Sequence, residues 1–494
     1  MRKAFDRQRR LDCPSVSEVS LNLNCRNETI PILRGLQHIY STPKLRDSIL
    51  HAIARDVNGK ASAKHGRPGL SYWEILVLAA ARLGCGYDYD QLQDLAENHR
   101  ALRQVMGIGD WESEEADETR FDWRRIESNV NLLRPETIAH INQAIIEEGH
   151  RLEPEAAQTV RGDTFVVQTN IHYPTDSRLI ADGLRKVVGL AVMLAGLYGL
   201  IGWRQHKHLY RKARRLVRTI ERIAARKGSG YQERMKEPYR ELLDVAKMLL
   251  TRADAHRETV RKYGTFTSAE TLALDKELET FIARTRQVCE LARRRVLEGE
   301  TIPHHEKLFS IFEPHTQLYK RGKAAEPVQF GRLTLIYEDG AGFITHYYIL
   351  PRDQGDRDVV VEQTRAVQRR HKGKIRRASF DRGFHSPEIQ KELARIIEHP
   401  CLPMPGSKQA REQEKTASVE FRNARQSHPG VESAIGALQA GNGLKRCRDR
   451  SEKGFERYIG LGVLGRNLHV LGKLLIGREA PDCQAAHSRR KPAA

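Results

Sequence analysis

Apolar residues recur at helical spacing along the first third of the chain. Ser71-Tyr72-Trp73-Glu74 has the reciprocal pattern of a capping box, and Ile75, Leu76, Leu78 and Ala79 carry a helix on to about Leu83, where Gly84-Cys85-Gly86 stops it. Asp88 and Gln91 repeat the cap for a second helix holding Leu92 and Leu95. A third begins near Pro135, with Ile138, Ile141, Ile145 and Ile146 on one face. Residues 41–150 therefore read as an all-α N-terminal domain of short helices around tight turns, preceded by a polar segment at 1–40. Helix–turn–helix units of this kind serve plain packing and DNA recognition alike.

The period changes at Gln158. Thr159 to Val167 is β-branched and partly alternating, which predicts a strand. From about 184 to 300 the helical period returns, with apolar stripes around Leu209–Ile223, Leu242–Leu250 and Leu274–Val296 that predict an antiparallel, coiled-coil-like hairpin. Within it Val187–Trp203 is an uncharged run of 17 residues, at the lower limit for crossing a bilayer. Glycines at 189, 196, 199 and 202 interrupt it, so it reads as a buried helix or helical hairpin and no membrane is expected. Strands return at Arg332–Tyr337 and Phe343–Ile349, flanking the hairpin signal Asp339-Gly340. A helix near Asp358, a strand from Lys374 to Phe380, a helix opened by Ser386-Pro387, a short strand near Ile396–Leu402 and helices from Val431 and Gly454 follow. A disordered tail is expected at 479–494.

With the insert skipped, the order is strand, two-stranded hairpin, helix, strand, helix, strand, helix. That is the element order of a ribonuclease-H-like core. The fold class expected is thus an α/β ribonuclease-H-like catalytic core in two parts, 155–183 and 301–478, with a long basic helical insertion at 184–300 and an all-α N-terminal domain. In such a sheet the first and fourth strands are neighbours and a later helix covers them, so Asp163, Asp381 and Glu432 are expected to converge. Three carboxylates suit phosphoryl transfer by a two-metal site, with Mg²⁺ ions about 3.5–4 Å apart and Mn²⁺ an acceptable substitute. Competing readings put Asp176 or Asp182 in place of Asp163, pair Asp381 with Arg382 or Arg377, or leave Glu432 as a helix N-terminal acid. His304-His305-Glu306 lacks a zinc-ligand spacing and reads as a turn.

Charge narrows the partner. Lys plus Arg number 83 against 63 Asp plus Glu, a net +20, which favours a polyanion. Arg204 to Lys227 alone holds ten cations and one acid, Glu221. Arg211, Lys212, Arg214, Arg215, Arg218 and Arg222 are expected to project from that helix toward phosphates. The seven cysteines are scattered without a C-x-x-C pair, which excludes a disulfide framework and a cysteine-built zinc module and suits a reducing cytosol. The opening MRKAFDRQRR leads into no apolar run, so no secretory signal is expected.

Four ordered segments then carry a resemblance. GDTFVVQTNIHYPTDSRLIADG (162–183), FEPHT (312–316), SFDRGFHSPE (379–388) and HPGVESAIGALQAGNGLKRCRDRSEKGFERYIGLGVLGRNL (428–468) resemble bacterial insertion-sequence DDE transposases, the group called ISNCY above all. The stretch 71–106 is similar to the N-terminal domain that accompanies that core, and the resemblance covers most of residues 40–475. It implies a cytoplasmic, nucleoid-bound enzyme that uses Mg²⁺ to hydrolyse the phosphodiester at terminal inverted repeats and joins the freed 3′-hydroxyl to target DNA. Double-stranded DNA is the partner, with 41–150 expected to be a helical DNA-binding domain that makes the base contacts, and a homodimer is expected to hold two ends together. The family's acids fall on Asp163, Asp381 and Glu432, as catalytic residues and metal ligands, and His428 matches the histidine that precedes the last acid. Related transposases place a Lys about seven residues after that acid, where this chain has Gln439; Lys445, Arg446, Arg448 and Arg450 offer a substitute cationic run, and Arg382 a further DNA contact. The rival readings are a nuclease on the same fold without strand transfer and a catalytically inactive DNA-binding relic.

Overall fold

The computed structural model of the chain describes residues 2–5, 12–59, 69–109, 121–226, 228–263, 268–320 and 326–479; the expected disordered tail lies, from 480 onward, outside them. Two compact units result, Met1–Asn170 with Gly331–Ala494, and Ile171–Phe330.

The first unit opens with α1 (Thr29–Ser41), whose Ile32, Leu33, Leu36 and Ile39 are fully buried. The sequence reading left these residues in a polar segment at 1–40; the polar run before Thr29 masked an apolar set that does keep helical spacing. Six further helices follow: α2 (Pro43–Asn58), α3 (Tyr72–Gly84), α4 (Tyr89–Asn98), α5 (Arg100–Met106), α6 (Trp123–Val130) and α7 (Pro135–Leu152). Both capping boxes form: Ser71 Oγ accepts from Glu74 N at 3.1 Å while Glu74 accepts from Ser71 N, and Asp88 and Gln91 do the same for α4. Strand β1 (Thr159–Thr169) comes next.

The second unit contains α8 (Asp176–Leu197), α9 (His206–Arg226), α10 (Tyr231–Tyr263), α11 (Ala269–Ala292) and strand β2 (Gln317–Lys320). Here the expected coiled-coil-like hairpin of three arms is extended to four packed helices, because α8 lies against both α10 and α11 while α9 lies on α8 and α10. The uncharged run supplies that core: Val187, Val188, Leu190, Ala191, Leu194, Ala195 and Trp203 are buried. This unit is also longer than the insertion expected at 184–300, since it includes the segment from Ile171 and the stretch up to Phe330. His304–Glu306 is a single 3-10 turn.

The chain then completes the sheet with β3 (Val328–Asp339), β4 (Ile344–Ile349), α12 (Asp356–Arg370), β5 (Arg377–Phe380), α13 (Pro387–Ala394), β6 (His399–Cys401), α14 (Ser407–Thr416), α15 (Val419–Ser427), α16 (Gly430–Ala440), β7 (Arg446–Cys447) and α17 (Glu452–Glu479). The strand order is β2-β3-β1-β5-β6, with β4 beside β3 and β7 beside β1. The sheet is mixed: β1 runs antiparallel to β3 and parallel to β5 and β7.

The N-terminal helices do not form a core of their own, although the sequence reading treated 41–150 as a separate domain. The cause is α17. It is apolar nearly all round, with Phe455, Tyr458, Ile459, Leu461, Leu464, Leu468 and Leu471 buried, and such a helix must be covered on every side. Helices α1, α3 and α7 cover it, so they share one cluster with Phe165 and Val167 of β1 and Val431 and Leu438 of α16. A Cβ at Gly465 would stand 2.5 Å from Gly84 Cα, so α3 and α17 cross backbone to backbone at a point only glycine allows. Among the described residues α17 is the one helix long and apolar enough to cross a membrane, and 78% of its apolar window is buried in this core.

Candidate active site

Parallel pairing of β1 with β5 sets Thr159 opposite Arg377, Arg161 opposite Ser379 and Gly162 opposite Phe380. One step further, Asp163 on β1 comes level with Asp381 at the exit of β5. Asp381 keeps extended backbone, φ −73° and ψ 164°, so side-chain alternation carries through it. Arg161, Asp163, Ser379 and Asp381 thus share one face of the sheet. The two carboxylates are held alike: Asp163 Oδ1 accepts the Thr164 amide at 2.7 Å, and Asp381 Oδ1 accepts the Arg382 amide at 2.7 Å.

The edge of β1 leaves room for this pair. One edge is filled by β3 from Val160 to Gln168. On the other, β5 covers 159–162 and β7 covers 168–169, and from Asp163 to Val167 no strand is registered among the described residues. Asp381 turns away into that gap. At its far end stand Lys445 and Arg446, both exposed, with the Lys445 carbonyl accepting from Gln168 N at 3.2 Å.

The link from α15 to α16 crosses the same face. Ser379 Oγ meets His428 Nδ1 at 3.1 Å, and Arg161 Nη1 donates to the Ser427 carbonyl at 3.0 Å. Helix α16 packs on β1 through Val431, Ala434 and Leu438, which puts exposed Glu432 in its first turn, four residues beyond His428. Burial pulls His428 below its ordinary pKa; the charges of Asp381 and Glu432 push it up, and those of Arg425 and Arg161 push it down. One imidazole therefore feels both acids, which come from separate elements. Asp381 and Glu432 make no ion pair among the described residues, so the expected competition from Arg382 and Arg377 does not take hold. The rivals for the first acid are committed elsewhere: Asp176 pairs with Arg295 at 2.6 Å and Asp182 with His172 at 2.6 Å, both within the helical unit.

Around these residues the charge is positive. Arg382 is exposed beside Asp381, and Arg448 lies 3.9 Å from Asp88. Gln439 is half-buried on α16. In the helical unit Arg211, Lys212, Arg214, Arg215, Arg218 and Arg222 are all exposed, while Ala213, Val217 and Ile220 face inward. None of the six makes an ion pair among the described residues; Glu221 pairs instead with Arg178.

The helix–turn–helix expectation for 41–150 fares differently. Every residue of α3 is buried, and the exposed face of α4 carries Asp90, Asp94 and Glu97, which would repel phosphate. Neither helix offers a base-reading surface. Sequence reasoning also passed over Arg161 and Ser379, which tie the covering helices to the acid-bearing face; each lies two residues before an acid, and strand alternation was the signal that pointed to them.

Among the described residues no three His, Cys, Asp or Glu side chains converge closely enough to hold a metal ion. Compared with protein-family models, curated proteins and solved structures, the chain matches none.

Proposed function

We propose that the chain is a DDE transposase of the insertion-sequence type, built on a ribonuclease-H-like core. The observation that carries this reading is the parallel register of β1 with β5, which ends at Gly162 opposite Phe380, one residue before Asp163 and Asp381, with Glu432 in the first turn of α16. The arrangement of β4, β3, β1, β5 and β6, with the first core strand between the second and fourth, supports the same fold class.

Two like charges near one another repel. A divalent cation relieves that repulsion, and the donor set, oxygen throughout with Asp381 and Glu432 open to solvent, suits Mg²⁺ or Mn²⁺. Asp163 and Asp381 would hold it with Glu432 as the third acid; when bound, it would lower the pKa of water and offset charge on the phosphoryl oxygens. The remaining work falls to the chain. Ser379 orients His428 through Nδ1, and burial keeps the ring neutral, so Nε2 is available to accept a hydrogen bond or a proton beside the acids. Each of two transfers forms one P–O bond and breaks one: water releases a 3′-hydroxyl at the element end, then that oxygen displaces a target 3′-oxygen. Lys445, Arg446 and Arg382 border the gap where the strand would enter, and α9 supplies a second, sequence-blind phosphate surface.

Incubation of the protein with Mg²⁺ and a labelled duplex carrying the inverted repeat that flanks its coding sequence tests this directly. Nicked product together with joined product is expected. Nicks without joining would reduce the reading to a nuclease, and binding with neither product would overturn it in favour of an inactive relic.

A further inference from the structure

Three pairs step along one face of the β1–β5 ladder, and the charge changes sign along them. Thr159 with Arg377 and Arg161 with Ser379 are registered partners, and Asp163 and Asp381 follow one residue beyond the last registered pair, Gly162 with Phe380. Over those two earlier pairs α15 stands off the sheet, leaving a cleft of about 330 Å³ lined by Thr159, Arg161, Arg377, Ser379, Asn423 and Ser427. Its lining holds two guanidiniums, three hydroxyls and an amide, and no carboxylate. Arg161 is a fixed wall, since Nη2 lies 2.9 Å from Glu338 and Nη1 donates to the Ser427 carbonyl. Arg377 is half-buried and makes no ion pair among the described residues. Asn423 is exposed on the facing side, on α15.

We propose that this cleft seats a phosphate of the same DNA strand, one nucleotide away from the phosphate at the acid pair. The proposal rests on the phosphoryl-transfer reading of that pair. Two residues along a strand span about 6.6 Å, the repeat of one nucleotide in an extended chain. A guanidinium beside hydroxyl and amide donors suits a phosphodiester, which Arg binds through paired N–H groups. The volume is at the low end for small-ligand pockets, roughly 300–1,000 Å³, so it takes one nucleotide unit and no more. The cleft would then fix which phosphodiester faces the acids, while the acids break it.

The test uses the full chain in EDTA, so that binding is read without cleavage, at about 0.15 M salt to screen open-surface charge. The probe is the dinucleotide pTpT, compared by titration calorimetry with a neutral analogue that lacks the 5′-phosphate and has a methylphosphonate bridge. Wild type is expected to bind pTpT, Arg377→Ala to weaken it about tenfold and Asn423→Ala about threefold, and the neutral analogue not to bind. If Arg377→Ala proves unstable, Asn423→Asp, which places a carboxylate at an exposed helix position, should abolish binding by itself. Unchanged affinity in these variants overturns the proposal, as does inorganic phosphate binding as tightly as pTpT, which would make the cleft a free-anion site. The two readings fail separately. Binding with this pattern in a protein that never cleaves DNA with Mg²⁺ would sink the transposase reading alone. Cleavage with an unaltered KM in Arg377→Ala would sink the cleft alone.

Discussion

Two arginine-rich regions of the helical unit handle their charge in opposite ways. Along α10 and α11, Arg257 donates to Asp275 at 2.9 Å and Arg261 to the same carboxylate at 2.8 Å, with Asp275 only 1% exposed. Just beyond, Arg293 takes Glu290 and Arg294 takes Glu306, each at 2.6 Å. On α9 six cations point to solvent with no acid of their own. Arg211 and Arg215, Arg214 and Arg218, and Arg218 and Arg222 are like charges one turn apart, each pair costing roughly 0.2–0.5 kcal/mol. Folding accounts for the first arrangement and gains nothing from the second. Asp381 and Glu432 belong with α9 in this respect: both are exposed and make no ion pair among the described residues. Unanswered charge marks the surfaces that meet a ligand; answered charge marks the ones that hold the fold.

The largest effects should separate these two kinds of charge cleanly. Asp163→Asn, Asp381→Asn and Glu432→Gln are each expected to lower single-turnover cleavage by about a thousandfold or more, the several kcal/mol that metal positioning supplies. The Tm, followed by circular dichroism, should change little, because Asn at 163 and 381 keeps the oxygen that accepts the neighbouring amide and Glu432 is exposed. Full activity in any one of them would remove that residue from the site. The paired region should break the other way: Arg257→Ala leaves the buried Asp275 with Arg261 alone and is expected to cost about 3 kcal/mol in denaturant unfolding. A Tm loss of that size in an acid variant would put the acids among the structural charges and erase the comparison.

Sequence made the local signals legible: both capping boxes, the Asp339-Gly340 hairpin, the strand that holds Asp163 and the strand exit at Asp381 follow from short-range chemistry. What it hid was set by distant partners. Helix α17 gives no amphipathic stripe because three helices surround it, so nothing local announces that α1, α3 and α7 share its core. The two-residue strand β7 has no period to read, yet it frames the gap beside Asp163. Helix α15 was missed as well, being short and polar, although it delivers His428 to Ser379. The cleft beside it exists only once β5 is in register, and no spacing along the chain encodes that.

Two buried imidazoles extend the contrast to groups that stay neutral in order to stay unpaired. His346 accepts from Arg370 at Nδ1 and donates to Gln363 from Nε2, and burial with the Arg370 charge holds it down at about 4. His371 donates from Nδ1 to the Ala157 carbonyl, and burial holds it at about 4 as well. The unfolded chain takes up these protons near pH 6.5 and the folded one only near 4, so the unfolded state binds more protons between those values. Stability is therefore fully present above about pH 7 and falls as the pH drops, by about 3 kcal/mol at pH 5.5. Denaturant unfolding against pH reads it, and His346→Gln should flatten part of the slope. A pH-independent stability down to 5 would mean that these rings are charged in the fold.

The smallest effect is the one that decides what α9 is for. Its apolar residues Ala213, Val217 and Ile220 are buried, so replacing outward cations leaves the packing untouched. Arg211→Ala, Arg215→Ala and Arg218→Ala together are expected to leave the Tm unchanged or slightly raised, since like-charge contacts one turn apart are removed. If the three side chains touch phosphates, each lost contact releases fewer counterions, and the log–log salt dependence of DNA binding should become shallower by roughly 0.9 per contact. The change should be equal for specific and random duplexes, because a helix presenting only cations reads backbone and not bases. An unchanged slope would turn α9 into a solvated face and leave its unpaired charge without a physical account. A loss confined to the specific duplex would instead give α9 the base-reading task that buried α3 and acidic α4 are unable to perform.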